Sequence, residues 1–210
     1  PIQAPRTFET LLPWLWRFWL KLPSYGEMAI FDRSWYGRVL VERVEELTPV
    51  QEWRKGYRDI VDFEHTLADD DVVIAKFFLH ISKKEQKRRF KELERDPLES
   101  WHVQPEDWDH HEKYEAYVVA IEEMLERTDT EWGPWIIVEA TDRRWARVKI
   151  LKTIIRRMEE ALQARGLPLP EEAGSEAVEA EEEDEPEAEA EVVPAPPVEA
   201  EPVAAAAEAA

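Results

Sequence analysis

The sequence contains no cysteine, which excludes a disulfide framework, a thiolate metal site and a cysteine nucleophile. It has only 6 glycines and no Gly-x-x-x-x-Gly-Lys string, so no phosphate-cradling loop of that type is written within it. No run of about 18 apolar residues occurs, and no transmembrane helix is expected. The opening residues lack the pattern of a signal peptide, so a cytoplasmic protein is expected. Basic residues are in deficit, 27 Lys+Arg against 47 Asp+Glu, for a net charge of -20. That argues against a nucleic-acid binder whose affinity comes from a basic surface, and nothing in the pattern points to a membrane.

The deficit is local. Residues 171–210 hold 15 of the acids and no Lys or Arg, leaving 32 acids against 27 bases, or -5, in residues 1–170. This Glu/Ala/Pro/Val-rich end has no aromatic residue and repeated prolines (Pro186, Pro194, Pro196, Pro197, Pro202). Ordering its backbone costs about 1–2 kcal/mol per residue, and it has too little apolar surface to offset that. Residues 169–210 are expected to be a disordered, self-repelling acidic tail.

What is present is a domain rich in aromatics, with all 10 Trp before residue 146. Three short apolar runs, Met28–Phe31, Val72–Leu79 and Trp135–Val138, read as buried strands between helical stretches, the pattern of a parallel sheet covered on both faces. The helices carry start signals: Thr48-Pro49-Val50-Gln51, the capping box Ser82-Lys83-Lys84-Glu85, and Asp142 ahead of an apolar stripe at Trp145, Val148, Leu151, Ile155, Met158 and Leu162. A further helix is predicted over 105–127, and a first one, apolar nearly all round, over Phe8–Leu20 with Pro13 in its first turn. The fold class is α/β.

Met28-Ala29-Ile30-Phe31 runs straight into Asp32-Arg33-Ser34. An apolar strand ending in Asp sets a carboxylate at the carboxyl edge of a sheet, where ligands of open α/β folds bind. The same pattern also arises when Asp simply caps the next helix. On the helix after Ser82, Lys84, Lys87, Arg88 and Lys91 fall at i, i+3, i+4 and i+7 and share one face. That basic stripe can hold a polyanion, or be a solvated face paired with Glu85, Glu92 and Glu94. His110-His111 lacks the i, i+4 spacing of a helical metal site, and the Trp14, Trp16 and Trp19 rings read as core.

The segment from Ala29 to Glu45, reading Asp32-Arg33-Ser34-Trp35-Tyr36-Gly37-Arg38 and Val41-Glu42-Arg43-Val44-Glu45, resembles the Walker B region of the polyphosphate kinase 2 family. Further matches follow in order: Leu15–Trp19 with Leu22-Pro23, Asp62-Phe63-Glu64, Lys76–Lys83 with Glu85-Gln86, Pro105–Trp108, Met124–Thr128 and Pro134-Trp135. The wording around Ser34–Arg38 is similar to the branch that phosphorylates AMP. The resemblance implies a P-loop kinase-like three-layer parallel sheet with a helical lid at about 82–110. It also implies Mg²⁺, and phosphoryl transfer between inorganic polyphosphate and AMP or ADP. Asp32 would then activate the acceptor phosphate or bridge to Mg²⁺, and Arg33 would contact phosphate beside it. Arg38 and Arg43 would bind nucleotide phosphate. Lys83, Lys84, Lys87, Arg88, Arg89 and Lys91 would hold polyphosphate. Arg forks suit such bidentate contacts.

The family's glycine-rich loop lies before the Trp-rich stretch, and this chain opens with Pro1. The expectation is a catalytic domain over 1–168, incomplete at the N-terminus and inactive alone, working as a homo-oligomer or beside a partner half. The alternative is a non-catalytic nucleotide- or polyphosphate-binding module. Glu99-Ser100-Trp101-His102 departs from the basic pair that the family carries at the lid end.

Overall fold

A computed structural model describes residues 4–169; the predicted acidic tail lies outside the described residues from 170 onward. The apolar opening does not form one helix. It makes a 3-10 turn at Glu9–Leu11, then α1 (Trp16–Trp19). Pro13 explains the break, because it has no N–H to continue a helical ladder; its carbonyl instead accepts from the Trp16 amide at 2.8 Å. The aromatics are placed by packing rather than by helical periodicity, with Phe18 against Trp35 at 5.9 Å and Trp19 against Phe63 at 4.9 Å, both edge-on.

Met28–Phe31 is not a strand. A strand needs a neighbour for its amides and carbonyls, and among the described residues none lies alongside it; Ile30 is 85% exposed. After it come a 3-10 turn (Trp35–Arg38), the short α2 (Val41–Val44) and the long α3 (Val50–Asp69). The helix starts one residue later than Thr48 predicts. The Thr48 hydroxyl is used elsewhere, donating to Glu42 at 2.6 Å and accepting from Arg38 at 3.0 Å. The inward face of α3 (Tyr57, Ile60, Phe63, Leu67) forms the main core with Phe18, Trp35, Tyr36, Val39, Ile74 and Met124.

β1 (Lys76–His80) and β2 (Trp135–Glu139) pair in parallel, Lys76 opposite Trp135 through His80 opposite Glu139. The crossover between them is helical. α4 (Lys83–Arg95) is capped as its sequence predicts, the Ser82 hydroxyl accepting from the Glu85 amide at 3.2 Å. After a 3-10 turn at Ser100–His102, the single helix predicted over 105–127 is two: α5 (Pro105–Glu112) and α6 (Tyr114–Thr128). They part at Lys113, where Lys113 and Tyr117 reach across to Glu45. Gln104 proves a competent start, its amide donating to Asp107 at 2.9 Å.

α7 (Arg143–Ala164) begins at Asp142, whose carboxylate accepts from the amides of Arg144 (2.8 Å) and Trp145 (3.1 Å). Here the predicted inward stripe is reversed. Trp145, Val148, Leu151, Ile155 and Met158 are 45–60% exposed. The buried residues are Ala146 and Thr153, with Ala146 in a second core beside Val138 and Ala140. Small side chains let the helix approach the sheet closely, and that favours this face over the bulkier one. The three-layer sheet expected from sequence is not formed among the described residues. The architecture is α/β, mostly helical around a two-stranded parallel sheet. No helix of the described residues is long and apolar enough to cross a membrane.

Candidate functional site

The candidate site is built on the turn between the extended Met28–Phe31 segment and the 3-10 turn that follows. Asp32 and Arg33 are both exposed. Arg33 has φ 59°, in the left-handed region, a conformation that costs a side-chain-bearing residue about 1–2 kcal/mol. Among the described residues neither side chain makes a hydrogen bond or an ion pair. A strained residue whose charged side chain does nothing for the fold is a mark of a site. Arg33 lies near enough to α6 for its charge to favour ionisation of the Tyr117 phenol, although burial and the neighbouring Glu45 together hold that phenol above its ordinary range.

The two arginines that follow in sequence are already engaged. Arg38 pairs with Glu42 at 3.0 Å, donates to Thr48 at 3.0 Å and lies over the Trp14 ring at 5.0 Å. Arg43 pairs with Glu123 of α6 at 2.7 Å, donates to the Tyr57 hydroxyl at 2.7 Å and lies over Trp53 at 4.4 Å. Its carboxylate partner is therefore not the adjacent Glu42/Glu45/Glu46 cluster but a residue 80 positions away. Glu45 joins the far end of α2 to the α5–α6 junction: it accepts from Lys113 and from the Tyr117 hydroxyl (3.1 Å), with His110 at 3.8 Å. The Lys113 contact pulls the Glu45 carboxyl below the usual carboxylate range.

On α4 the six candidate cations separate into two groups. Arg88 is held by Glu85 at 2.6 Å and by Glu92. Arg89 pairs with Glu85 at 2.8 Å and donates to the carbonyls of Ala140 (2.7 Å) and Thr141 (3.0 Å), which fastens α4 to the turn before α7. These two guanidinium groups push the Glu85 carboxyl down to about 2. Lys83 lies 3.8 Å from Glu115 and over the Tyr114 ring at 5.8 Å. Lys84, Lys87 and Lys91 are exposed and, among the described residues, pair with no carboxylate. Three of the four residues of the predicted basic stripe thus stay free, while Arg88 is neutralised.

Sequence reasoning missed the buried pair beneath the turn. Glu64 is fully buried, Lys76 is 6% exposed, and they meet at 2.8 Å. The signal was available. Glu64 lies in the apolar row Ile60, Phe63, Leu67 of α3, and Lys76 opens an apolar strand; a charge in such a place needs a partner. His111, unassigned from sequence, has Nδ1 2.7 Å from the Gln86 side-chain oxygen. As to a metal, no cluster of three or more His, Cys, Asp or Glu side chains occurs among the described residues. Asp32 offers one free, exposed carboxylate. That fits Mg²⁺, which is commonly held by one or two carboxylates with substrate phosphates and water completing its shell.

The family description of polyphosphate kinase 2 matches residues 1–166. A polyphosphate:AMP phosphotransferase of Pseudomonas syringae pv. tomato is 46% identical over 161 residues, covering 77% of this chain and 32% of the relative. An AMP/ADP-polyphosphate phosphotransferase of Meiothermus ruber is 38% identical over 175 residues, covering 83% and 65%. The crystal structure of a polyphosphate kinase 2 from Pseudomonas aeruginosa PA01 superposes with a TM-score of 0.76 at 45% identity, over 78% of this chain and 35% of that one. The chain spans about a third of the length of the first of these relatives. With a match over nearly all described residues and this structural likeness, the chain belongs to the polyphosphate kinase 2 family.

Proposed function

We propose that the protein takes part in phosphoryl transfer between inorganic polyphosphate and a nucleotide, with AMP as the preferred acceptor. The observation that carries the reading is the exposed Asp32–Arg33 pair. Among the described residues the fold leaves this pair without a partner, while Arg38 and Arg43, which follow in sequence, are neutralised. In the forward direction an oxygen of the AMP phosphate bonds to the terminal phosphorus of polyphosphate. The anhydride bond to the next phosphate breaks, giving ADP and a chain shorter by one phosphate. Both reactants are anions, so most of the protein's task is positioning and charge neutralisation. Asp32 orients the acceptor and, with Mg²⁺ bound, supplies a carboxylate to its shell; the ion would neutralise phosphate charge. Arg33 presents a planar fork to phosphate. Lys84, Lys87 and Lys91 offer polyphosphate an uncommitted row of ammonium groups on a capped helix. The names of the relatives, polyphosphate:AMP and AMP/ADP-polyphosphate phosphotransferase, support the substrate pair.

On this reading residues 1–168 are the catalytic unit of a P-loop kinase-like domain, with a lid at about 82–110. Arg38 and Arg43 are then positioning residues that bind nucleotide only if Glu42 and Glu123 release them. The test is ADP formation from AMP, polyphosphate and Mg²⁺ by a protein that carries the family's glycine-rich loop ahead of residue 1. Asp32→Asn should lower turnover by about two orders of magnitude, the scale of such groups, with an unchanged melting curve. Turnover like that of the wild type in Asp32→Asn would remove the assigned role. Calorimetric binding of AMP and polyphosphate without any ADP formation, even with that loop present, would favour a binding module instead.

A further inference from the structure

Four elements distant in sequence meet at one ion pair. Glu64 Oε1 accepts from the Trp35 indole N–H at 2.9 Å and from the Tyr36 hydroxyl at 2.7 Å. Its Oε2 accepts from Lys76 Nζ at 2.8 Å. Lys76 also donates to the Thr128 carbonyl at the end of α6 (2.7 Å) and to the Tyr36 hydroxyl (3.1 Å). The Tyr36 hydroxyl is thus donor to one ion and acceptor from the other. The pair ties together α3, β1, α6 and the 3-10 turn, and its polar atoms are satisfied.

Such a pair is not needed to fill space. Apolar residues of similar volume would serve stability as well or better. What a buried ion pair adds is direction, because each hydrogen bond fixes an angle as well as a distance. The residues it fixes, Trp35 and Tyr36, follow Asp32-Arg33-Ser34 directly. The indole is also boxed by Phe18, Phe31 and Phe63 at 5.9, 5.4 and 4.9 Å. Upstream, Arg33 sits in a strained conformation that its own side chain does nothing to hold. A strained backbone persists only where its surroundings over-determine it.

We infer that the buried Glu64–Lys76 pair is a positioning device: it locks Trp35 and Tyr36 so that the Asp32 carboxylate and the Arg33 guanidinium are presented outward in one fixed orientation. The inference rests on the reading of Asp32 as the group that meets the acceptor phosphate. Glu64 and Lys76 themselves touch no substrate, being buried.

The test uses the whole chain, with two variants and two independent readouts. Glu64→Gln removes the charge that holds Lys76; Tyr36→Phe removes the hydroxyl that links the turn to the pair without stranding an ion. The first readout is the backbone amide resonances of Asp32 and Arg33. Both variants should displace or broaden them, although residue 64 is 32 positions from Asp32. The second is kinetics with AMP and polyphosphate. The rate constant kcat should fall about tenfold to a hundredfold, the range for displacement of a reacting group by an ångström or so, while KM for polyphosphate stays within about twofold, since the α4 lysines are untouched. Asp32 and Arg33 resonances that coincide with those of the wild type, in a Glu64→Gln protein that merely melts earlier, would overturn the inference and leave the pair a structural one. If the wild-type protein forms no ADP even with the family's glycine-rich loop ahead of residue 1, the functional reading fails on its own, and the amide resonances still decide whether the pair sets the turn.

Discussion

Replacing Lys76 by Met should be among the most damaging single changes in this fold. Met keeps most of the volume and removes the ammonium. Glu64 Oε2 then loses its donor at 2.8 Å, and the Thr128 carbonyl and Tyr36 hydroxyl each lose one too. At that separation and an effective dielectric of about 20, the Coulomb attraction is about 6 kcal/mol. Desolvating two ions costs several kcal/mol each, so the intact pair is close to neutral against an apolar replacement. Removing one partner is different, because the other's desolvation is left uncompensated, and such losses are about 3–5 kcal/mol. For a domain with a total stability of about 5–15 kcal/mol, that is a large fraction. The assay is urea unfolding at pH 7 and pH 5. In Lys76→Met the stranded carboxylate is relieved by taking up a proton, so the folded variant binds protons that the unfolded chain at the same pH does not. Its stability deficit therefore shrinks as pH falls from 7 toward 5. Adding Glu64→Gln should recover most of the loss. A deficit under about 1 kcal/mol, or one of equal size at both pH values, would refute the reasoning.

Three further outcomes are expected. Gly56 is buried in α3, and a Cβ there would lie 2.7 Å from Arg38 Cγ and 3.4 Å from Val39 Cγ1. Gly56→Ala should thus lose about 1 kcal/mol or more in urea unfolding, although helix propensity alone would gain about as much. Glu85, held down to about 2 by Arg88 and Arg89, contributes to docking of α4 above the ordinary carboxylate range and loses that contribution as pH falls toward 2. Protection factors of the α4 amides, taken relative to the intrinsic exchange rate at each pH, should fall over that window, and Arg89→Ala should show the lower protection already at pH 7. Arg33→Asn, a residue that tolerates the left-handed region, should raise the melting temperature slightly while lowering turnover, the pattern of a position strained for function; a fall in both would mean that Arg33 supports the fold.

Much of the fold is written locally. The caps at Ser82 and Asp142 follow from short-range rules and stand where the sequence puts them; the strand predicted over Trp135–Val138 runs one residue further, to Glu139, and the one predicted over Val72–Leu79 forms only from Lys76, to His80. The misses are of another kind. Met28–Phe31 has the composition of a strand, but pairing is not a local property, and no described segment lies beside it. In α7 the pattern contains two faces, one bulky and apolar, one built on Ala146 and Thr153. Periodicity picks the first, whereas close approach to the sheet picks the second. Glu64 and Lys76 stand in the sequence as charges in apolar rows, and sequence does not show what faces such a charge.

The same distinction decides which cations belong to the site. By sequence Arg33, Arg38, Arg43 and the α4 residues are equal candidates for phosphate. The structure separates them by a simple criterion, whether a carboxylate of the same fold already claims the charge. Glu42, Glu123 and Glu85 claim Arg38, Arg43 and the two α4 arginines. An incoming phosphate must displace those carboxylates, and a bidentate or partly buried pair resists that more than an exposed lysine does. What remains open to an anion without rearrangement is Arg33 beside Asp32, and Lys84, Lys87 and Lys91 on α4. A donor chain and an acceptor phosphate are two anions, and among these candidates in the described residues two sets of cations stay uncommitted, one of them next to the free Asp32 carboxylate.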